Sequence, residues 1–284
     1  MIAFDYLASP GELGNQMFKF AALKGIARNN GYDYLMPPSY LGLEKSPFLY
    51  KAFKKITKYK YQNHFLFKYF ELSSVARRQI KFSNFKDLLS AESTLFDEKL
   101  FNNCPDNIQL QGYFQSPKYF ENIENTIRED FKFKKKILTL GNRLMPKSTS
   151  PISLHIRRGD YITNPNHFSL DLNYYQNAID YFGKDKQYFV FTDDPNWFKQ
   201  QDLYHSENFK LISEITKNST PLDLYIMKSC KKHIIANSTF SWWGAWLSNS
   251  KEVVFPLKWY KDEGDSSEDL PLKDWVGIKN NFQG

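Results

Sequence analysis

The chain has 284 residues and a formal net charge of +7, with 42% hydrophobic and 24% charged residues. That length suits two domains of roughly 130–150 residues, and the apolar share argues against a disordered chain. Two distant cysteines, Cys104 and Cys230, outside any CxxC or Cys/His pattern, argue against a disulfide framework and a structural zinc.

From the N-terminus, the apolar run Ile2–Leu7 reads as a strand and Pro10, Gly11 and Gly14 as a turn. Asn15–Asn30 reads as a helix with an apolar stripe of Met17, Phe18, Ala21, Leu23, Gly25 and Ala27, stopped at Gly31. Asp33–Met36 is the next strand, which completes a β-α-β opening. Residues 40–150 are rich in Phe, Tyr and Lys, with short helices expected at 85–90 and 118–130. The stretch 145–151 has the composition of a connection and divides the expected domains, 1–150 and 151–284.

The second half alternates more clearly. Strands are expected at 152–157, 187–191, 209–212, 233–236 and 253–255, and helices at 170–182, 221–230 and 240–247. Alternation of this kind predicts a parallel sheet covered on both faces, so the fold class is α/β with the site in a cleft between two halves. Ligands of such sheets bind beyond the carboxyl ends of the strands, and three polar segments stand there.

The first is His155-Ile156-Arg157-Arg158-Gly159-Asp160-Tyr161. Strand alternation puts Leu154 and Ile156 on one face, His155 and Arg157 on the other. Two adjacent guanidiniums at a strand end suit a diphosphate, whose oxygens match arginine forks. Asp160 is either the internal partner of an arginine or a base. The second segment is Thr192-Asp193-Asp194-Pro195. A carboxylate there can read the N1–H and exocyclic amine of guanine, bind a divalent metal on a nucleotide, or cap a helix that starts at Pro195. The third runs from Asn237 to Trp246 and opens a helix. Ser238, Thr239 and Ser241, with the free N–H groups of a helix start, form an anion site, and the tryptophans are expected in the core. In the first half, Gly11-Glu12-Leu13-Gly14-Asn15-Gln16 turns a strand into a helix without GK[ST] or GxGxxG. Asn15 and Gln16 are candidates for hydrogen bonds to a sugar. His64, His167, His205 and His233 have no metal-ligand spacing and read as ordinary core or surface histidines.

The order GxLGNQMF, QGYFQSPKYF (111–120), HIRRGDY (155–161), FTDDP (191–195) and NSTFSWWGAWL (237–247) resembles the α-1,2-fucosyltransferase family, of the glycosyltransferase family 11 type, over nearly the whole chain. The resemblance implies a GT-B-like fold of two Rossmann-like domains facing a cleft, with residues 1–150 on the acceptor side and 151–284 binding the donor. It implies inverting transfer of fucose from GDP-fucose, without metal or cofactor, to the 2-hydroxyl of a terminal galactose on an oligosaccharide or glycolipid such as lipopolysaccharide O-antigen. It assigns Arg157, with Arg158 beside it, to the donor diphosphate, Asp193 or Asp194 to guanine, and Thr239, Phe240 and Ser241 to the pyrophosphate. Asp160 and His155 are the candidate bases. Glu12 departs from the family pattern, which has a second glycine at that place.

The positive charge also fits nucleic acid or an anionic membrane surface. Lys51, Lys54, Lys55, Lys58 and Lys60, interleaved with Phe53, Tyr59, Tyr61, Phe65 and Phe67, read either as a solvated helix face with its aromatics turned inward or as a docking stretch for a membrane that carries glycolipid acceptors. No nucleic-acid motif accompanies it, so no nucleic acid is expected as partner. The sequence shows no 18-residue apolar run and no signal-peptide order. A cytoplasmic protein, at most peripheral to a membrane, is the resulting expectation.

Overall fold

The computed structural model describes residues 1–8, 11–36, 65–73, 84–91, 93–148, 150–164, 167–261 and 267–281. Lys51 to Tyr61 of the basic aromatic stretch, and His64, lie outside the described residues. The chain divides into two compact units, Met1–Lys132 and Phe133–Gly284.

In the first unit, β1 (Ile2–Ala3) leads into α1 (Leu13–Asn29), then β2 (Tyr34–Leu35). The short helices α2 (Leu66–Tyr69) and α3 (Glu98–Asn102) flank β3 (Leu88–Ser90), and β4 (Ile108–Gln111) precedes α4 (Glu124–Asp130). Among the described residues the strands form one parallel sheet in the order β2-β1-β4-β3. Residues 88–90 are therefore strand and not the expected helix. Their backbone pairs with Gln109–Gln111, and so short a segment gains more from a sheet ladder than from one helical turn. The expected helix at 118–130 resolves into two 3₁₀ turns, Pro117–Tyr119 and Glu121–Ile123, followed by α4.

Helix α1 has no solvent face over most of its length. Fourteen of its 17 residues are buried, Gln16, Lys19 and Lys24 among them, so the stripe expected from the sequence is a minimum set. Lys19 Nζ lies between the rings of Phe4 and Tyr113, at 5.8 and 5.5 Å, and burial lowers its pKa to about 8. Lys24 forms an ion pair with Asp130 at the end of α4.

The second unit opens with α5 (Lys135–Leu144). This helix packs so closely on α9 (Thr220–Ser229) that a Cβ at Gly141 would overlap the Tyr225 ring, whose hydroxyl donates to Asn142 Oδ1 at 2.6 Å. That packing draws 133–150 into the second unit, so the division between compact units falls earlier in the chain than residue 150. Next come β5 (Ile152–Ile156), α6 (Leu172–Phe182), β6 (Tyr188–Thr192), α7 (Pro195–Lys199), β7 (Phe209–Leu211) and α8 (Ile212–Ile215). After α9 follow β8 (Lys232–Ile234), α10 (Thr239–Ser248), β9 (Glu252–Pro256) and β10 (Val276–Ile278).

Each adjacent pair in this sheet is parallel, in the order β10-β9-β8-β5-β6-β7. The pattern is the doubly wound one, with its order reversing between β5 and β8. Leu154, Ile156, Val190 and Ile234 are buried to 1% exposure or less against Tyr174, Ile179 and Phe198. Each such aliphatic side chain contributes about 1.5–3 kcal/mol over an exposed position. His233, buried between Ser153 Oγ (2.6 Å) and Ser248 Oγ (2.8 Å), is a core histidine whose pKa burial lowers to about 3. Among the described residues no helix is long and apolar enough to cross a membrane.

Candidate functional site

The reversal of strand order splays the chain apart beyond β5 and β8, which leaves room at their carboxyl ends. Arg157 and Arg158 follow β5, Asp193 and Asp194 follow the neighbouring β6, and Asn237 to Ser241 follow β8. The sequence reading and the topology thus converge on one place in the second unit.

Asp193 organises it. Its Oδ1 accepts the backbone N–H of Arg158 (2.9 Å) and of Gly159 (3.2 Å), and its Oδ2 receives Arg157 Nη1 at 2.6 Å. A Cβ on residue 159 would stand 2.6 Å from that same Oδ2, so the turn needs glycine for close approach. Arg157 Nη2 also reaches Asp160 Oδ1 at 2.5 Å, and its guanidinium lies 5.0 Å from the centre of the Tyr161 ring. Tyr161 stacks on His167 and donates its hydroxyl to the carbonyl of Asn237, which ties the β5 and β8 loops together.

Asp194 realises the cap reading. Its Oδ1 accepts the N–H of Trp197 at the start of α7, with Pro195 in the first turn, and its Oδ2 receives Arg158 Nε at 3.3 Å. The Arg158 guanidinium lies 4.1 Å from the centre of the Trp197 indole. Both carboxylates expected to read guanine or hold a metal are thus engaged with the two arginines. Two arginines and three aspartates give this cluster a formal charge of 2 − 3 = −1.

Across the switch point, Ser238 caps α10 and accepts the N–H of Phe240. Thr239 and Phe240 are part-exposed at the helix start, the positive end of the α10 dipole. Ser241 is fully buried, and its hydroxyl donates back to the carbonyls of Ser238 (3.2 Å) or Ala236 (3.5 Å). The expected phosphate-facing hydroxyl of Ser241 therefore belongs to the helix interior. Ser241→Ala should leave GDP affinity within about twofold, because a back-bonded hydroxyl contributes at most about 1 kcal/mol and none of it toward a ligand. Titration calorimetry checks this, and a loss of tenfold or more would return Ser241 to the site. Trp242, Trp243 and Trp246 are core residues, as expected.

His155 is 5% exposed, with its ring tilted against Phe240 at 5.6 Å. Burial, then the Arg157 charge, lowers its pKa to about 3, so the ring is neutral near pH 7. Its Nδ1 is buried with no hydrogen-bond partner among the described residues. A neutral imidazole of this kind can hold a ligand hydrogen bond but is a poor proton acceptor.

In the first unit, Asn15 and Gln16 take different roles. Gln16 is 2% exposed, and its Oε1 accepts the N–H of Phe65 at 2.9 Å, so it holds the chain internally. Asn15 is part-exposed, with Oδ1 accepting Gln115 Nε2 at 2.8 Å. Glu12, the N-cap residue of α1, is exposed and makes no capping bond. Sequence reasoning missed Trp197 as the surface beneath Arg158. The signal was available: Asp194-Pro195 fixes the helix start, which places residue 197 one turn along, back beside the strand ends.

The family model described as Glycosyl transferase family 11 matches residues 5–279. The chain is 29% identical to the Escherichia coli O-antigen biosynthesis glycosyltransferase WbnK, covering 96% of this chain and all of that one. It is 29% identical to an Escherichia coli alpha-1,2-colitosyltransferase, over 95% and 97% of the two chains. A Caenorhabditis elegans galactoside 2-alpha-L-fucosyltransferase is 30% identical over 57% of this chain and 47% of its own. Among solved structures, fucosyltransferase NodZ from Bradyrhizobium superposes with a TM-score of 0.50 at 12% identity, covering 94% and 96%. That likeness is one of fold, and it agrees with the α/β, GT-B-like class.

Proposed function

Because the chain belongs to glycosyl transferase family 11, we propose that it transfers L-fucose from GDP-β-L-fucose to the 2-hydroxyl of a terminal galactose, inverting the anomeric carbon and needing no metal. The observation that carries the donor reading is the placement of Arg157 and Arg158 beyond β5 beside the start of α10 beyond β8, at the reversal of strand order. The α-1,2 linkage and the galactose acceptor are supported by the names of relatives and by the motifs. Donor binding is assigned to the second unit and acceptor binding to the first, where Asn15 and Gln115 offer amide groups.

In this reading the acceptor hydroxyl attacks the anomeric carbon as GDP leaves from the opposite face. Negative charge grows on the departing diphosphate, and Arg157 stabilises it with one or both fork nitrogens, assisted by Arg158 and by the positive end of the α10 dipole. These donors are held in place before the donor arrives, so little reorganisation accompanies bond cleavage. His155, neutral and with Nδ1 unengaged, offers a hydrogen bond to the same region.

Asp160 is more than half exposed and occupies one side of the Arg157 fork. We assign it to holding that fork, in competition with the diphosphate. Asp160→Asn should then bind GDP about three- to tenfold more tightly and lose less than tenfold in kcat. A kcat loss of about 10²-fold or more at unchanged GDP affinity would identify Asp160 as the base instead.

A second donor is favoured by one observation, the full-length likeness to a colitosyltransferase. Colitose is fucose without its 3-hydroxyl, and a pocket that merely leaves space for that group discriminates weakly, whereas one that hydrogen-bonds it discriminates strongly. The deciding experiment supplies GDP-fucose and GDP-colitose in competition to a panel of β-galactosides and assigns product linkage and anomeric configuration by NMR. α-1,2-Fucosylated product in excess supports the first reading, and colitosylated product the second. No transfer to any galactoside would remove the acceptor assignment.

A further inference from the structure

A buried relay runs from Asp223 to the strand end that carries Asp193 and Asp194. Asp223 lies in the first turn of α9 and is 8% exposed. Its Oδ2 accepts the Ser213 hydroxyl at 3.0 Å, and its Oδ1 accepts the Thr216 hydroxyl. The Ser213 oxygen, fully buried, accepts in turn the backbone N–H of Thr192 at 2.9 Å. Thr192 Oγ1 then accepts the N–H of Asp194 at 3.0 Å. Asp193 and Asp194 hold the forks of Arg157 and Arg158.

The direction of the Ser213–Asp223 bond depends on the charge of Asp223. A serine hydroxyl has one proton. While Asp223 is ionised, that proton points to the carboxylate and the oxygen lone pairs face Thr192. Protonation at Oδ2 makes Asp223 a donor to Ser213, whose two lone pairs then take both Asp223 O–H and Thr192 N–H. The serine proton therefore turns from the carboxylate, reorienting the hydroxyl under Thr192, and is left without its acceptor in a dry site.

We propose that Asp223, acting through Ser213, is a positioning residue for the donor: its ionised carboxylate fixes the Thr192–Asp194 strand end and thereby both arginine forks. The inference rests on the donor reading above. Burial raises the Asp223 pKa to about 6, against the lowering effect of the Thr216 and Ser213 hydrogen bonds. The charged groups on the elements around it are Glu214 and Lys217 on the α8 side, Lys135, Lys136 and Arg143 on α5, and Asp193 and Asp194 beyond β6, whereas α10 carries none.

The signs for stability and function are opposed. A carboxyl pKa raised by folding favours the folded state below the ordinary aspartate range, and that contribution is lost as pH rises through about 6. Donor affinity needs the ionised form, so it is full above about pH 6 and falls below it.

The test is calorimetric binding of GDP-fucose to the full chain between pH 5.5 and 8, without acceptor. A sugar-nucleotide diphosphate has no terminal phosphate titrating near pH 6. The parent should bind about five- to tenfold more weakly at pH 5.5 than at pH 8, the scale of one lost hydrogen bond. Asp223→Asn should show that loss already at pH 8, with a flat pH profile and a melting temperature at pH 8 no lower than the parent's. Ser213→Ala cuts the relay beside Thr192 and should show the same loss at pH 8. His155 and His167, both with lowered pKa values, are common to parent and variants, so the difference isolates Asp223. A flat parent profile, parent-like binding by both variants at pH 8, or affinity loss that tracks a lowered melting temperature overturns the relay. A parent that binds no GDP-fucose at any pH overturns the donor reading with it.

Discussion

Arg157→Ala is expected to lower kcat/KM for fucosyl transfer by about 10³-fold, roughly 4 kcal/mol of transition-state stabilisation. The magnitude follows from what the guanidinium does and where it sits. Two of its nitrogens are already directed, one to Asp193 at 2.6 Å and one to Asp160 at 2.5 Å, and its face lies on Tyr161. A cation fixed on three sides arrives at the diphosphate with little orientational freedom left to lose. Charge that develops on the leaving group is then met by a donor that does not have to move.

The effect should divide unevenly between binding and chemistry. The ground-state diphosphate already carries charge, so GDP affinity falls too, by about tenfold, while the larger share appears in kcat. Arg157→Lys should recover little, because an ammonium is a point charge that cannot hold Asp193 and a phosphate oxygen in one plane. Neither variant should unfold the protein. Asp193 keeps its bonds to the N–H groups of Arg158 and Gly159, and Asp160 is exposed. Single-turnover kinetics with GDP-fucose, alongside calorimetry with GDP, measures both parts. An Arg157→Ala enzyme that keeps more than a tenth of parent kcat/KM would remove Arg157 from the reaction.

The parts of this site legible in the sequence are those set by local chemistry. Leu154 and Ile156 alternate with His155 and Arg157, and a two-residue period cannot be satisfied by a buried helix, so β5 and its arginine end could be placed from the sequence. Ser238 before a helix-forming run, and Asp194 before Pro195, are caps that local hydrogen bonding dictates. What was hidden depends on distant partners. Ser241 looks like a phosphate ligand beside Thr239, yet helical geometry turns its hydroxyl toward the carbonyl of Ser238. Asp193 reads locally as a candidate for base recognition, and its bond to the turn at Gly159, 34 residues earlier in the chain, is not legible there. Leu88–Ser90 lacks any periodicity to separate strand from helix, and only β4 beside it decides the matter. The stripe on α1 understated its burial because Lys19 and Lys24 read as solvent-facing.

Lys24 also sets the largest stability effect expected in the first unit. Its ammonium meets Asp130, which is fully buried, and lies 5.9 Å from the centre of the Phe20 ring. Asp130 ends α4, where the helix dipole disfavours an anion, and the lysine offsets that cost. Asp130→Asn removes the buried carboxylate that pairs with the ammonium, at a cost of about 3–5 kcal/mol. In urea the midpoint should fall at nearly unchanged slope, and the melting temperature should drop by roughly 10 °C. The double variant Lys24→Met, Asp130→Leu should recover most of that loss, because well-packed apolar side chains remove both desolvation costs together. Arg157, Arg158 and the α10 start, to which donor binding is assigned in the proposal, all belong to the second unit. At temperatures where Asp130→Asn remains folded, GDP affinity should therefore equal the parent's. If the single variant melts within 2 °C of the parent, the pair is not the anchor between α1 and α4 that its burial implies.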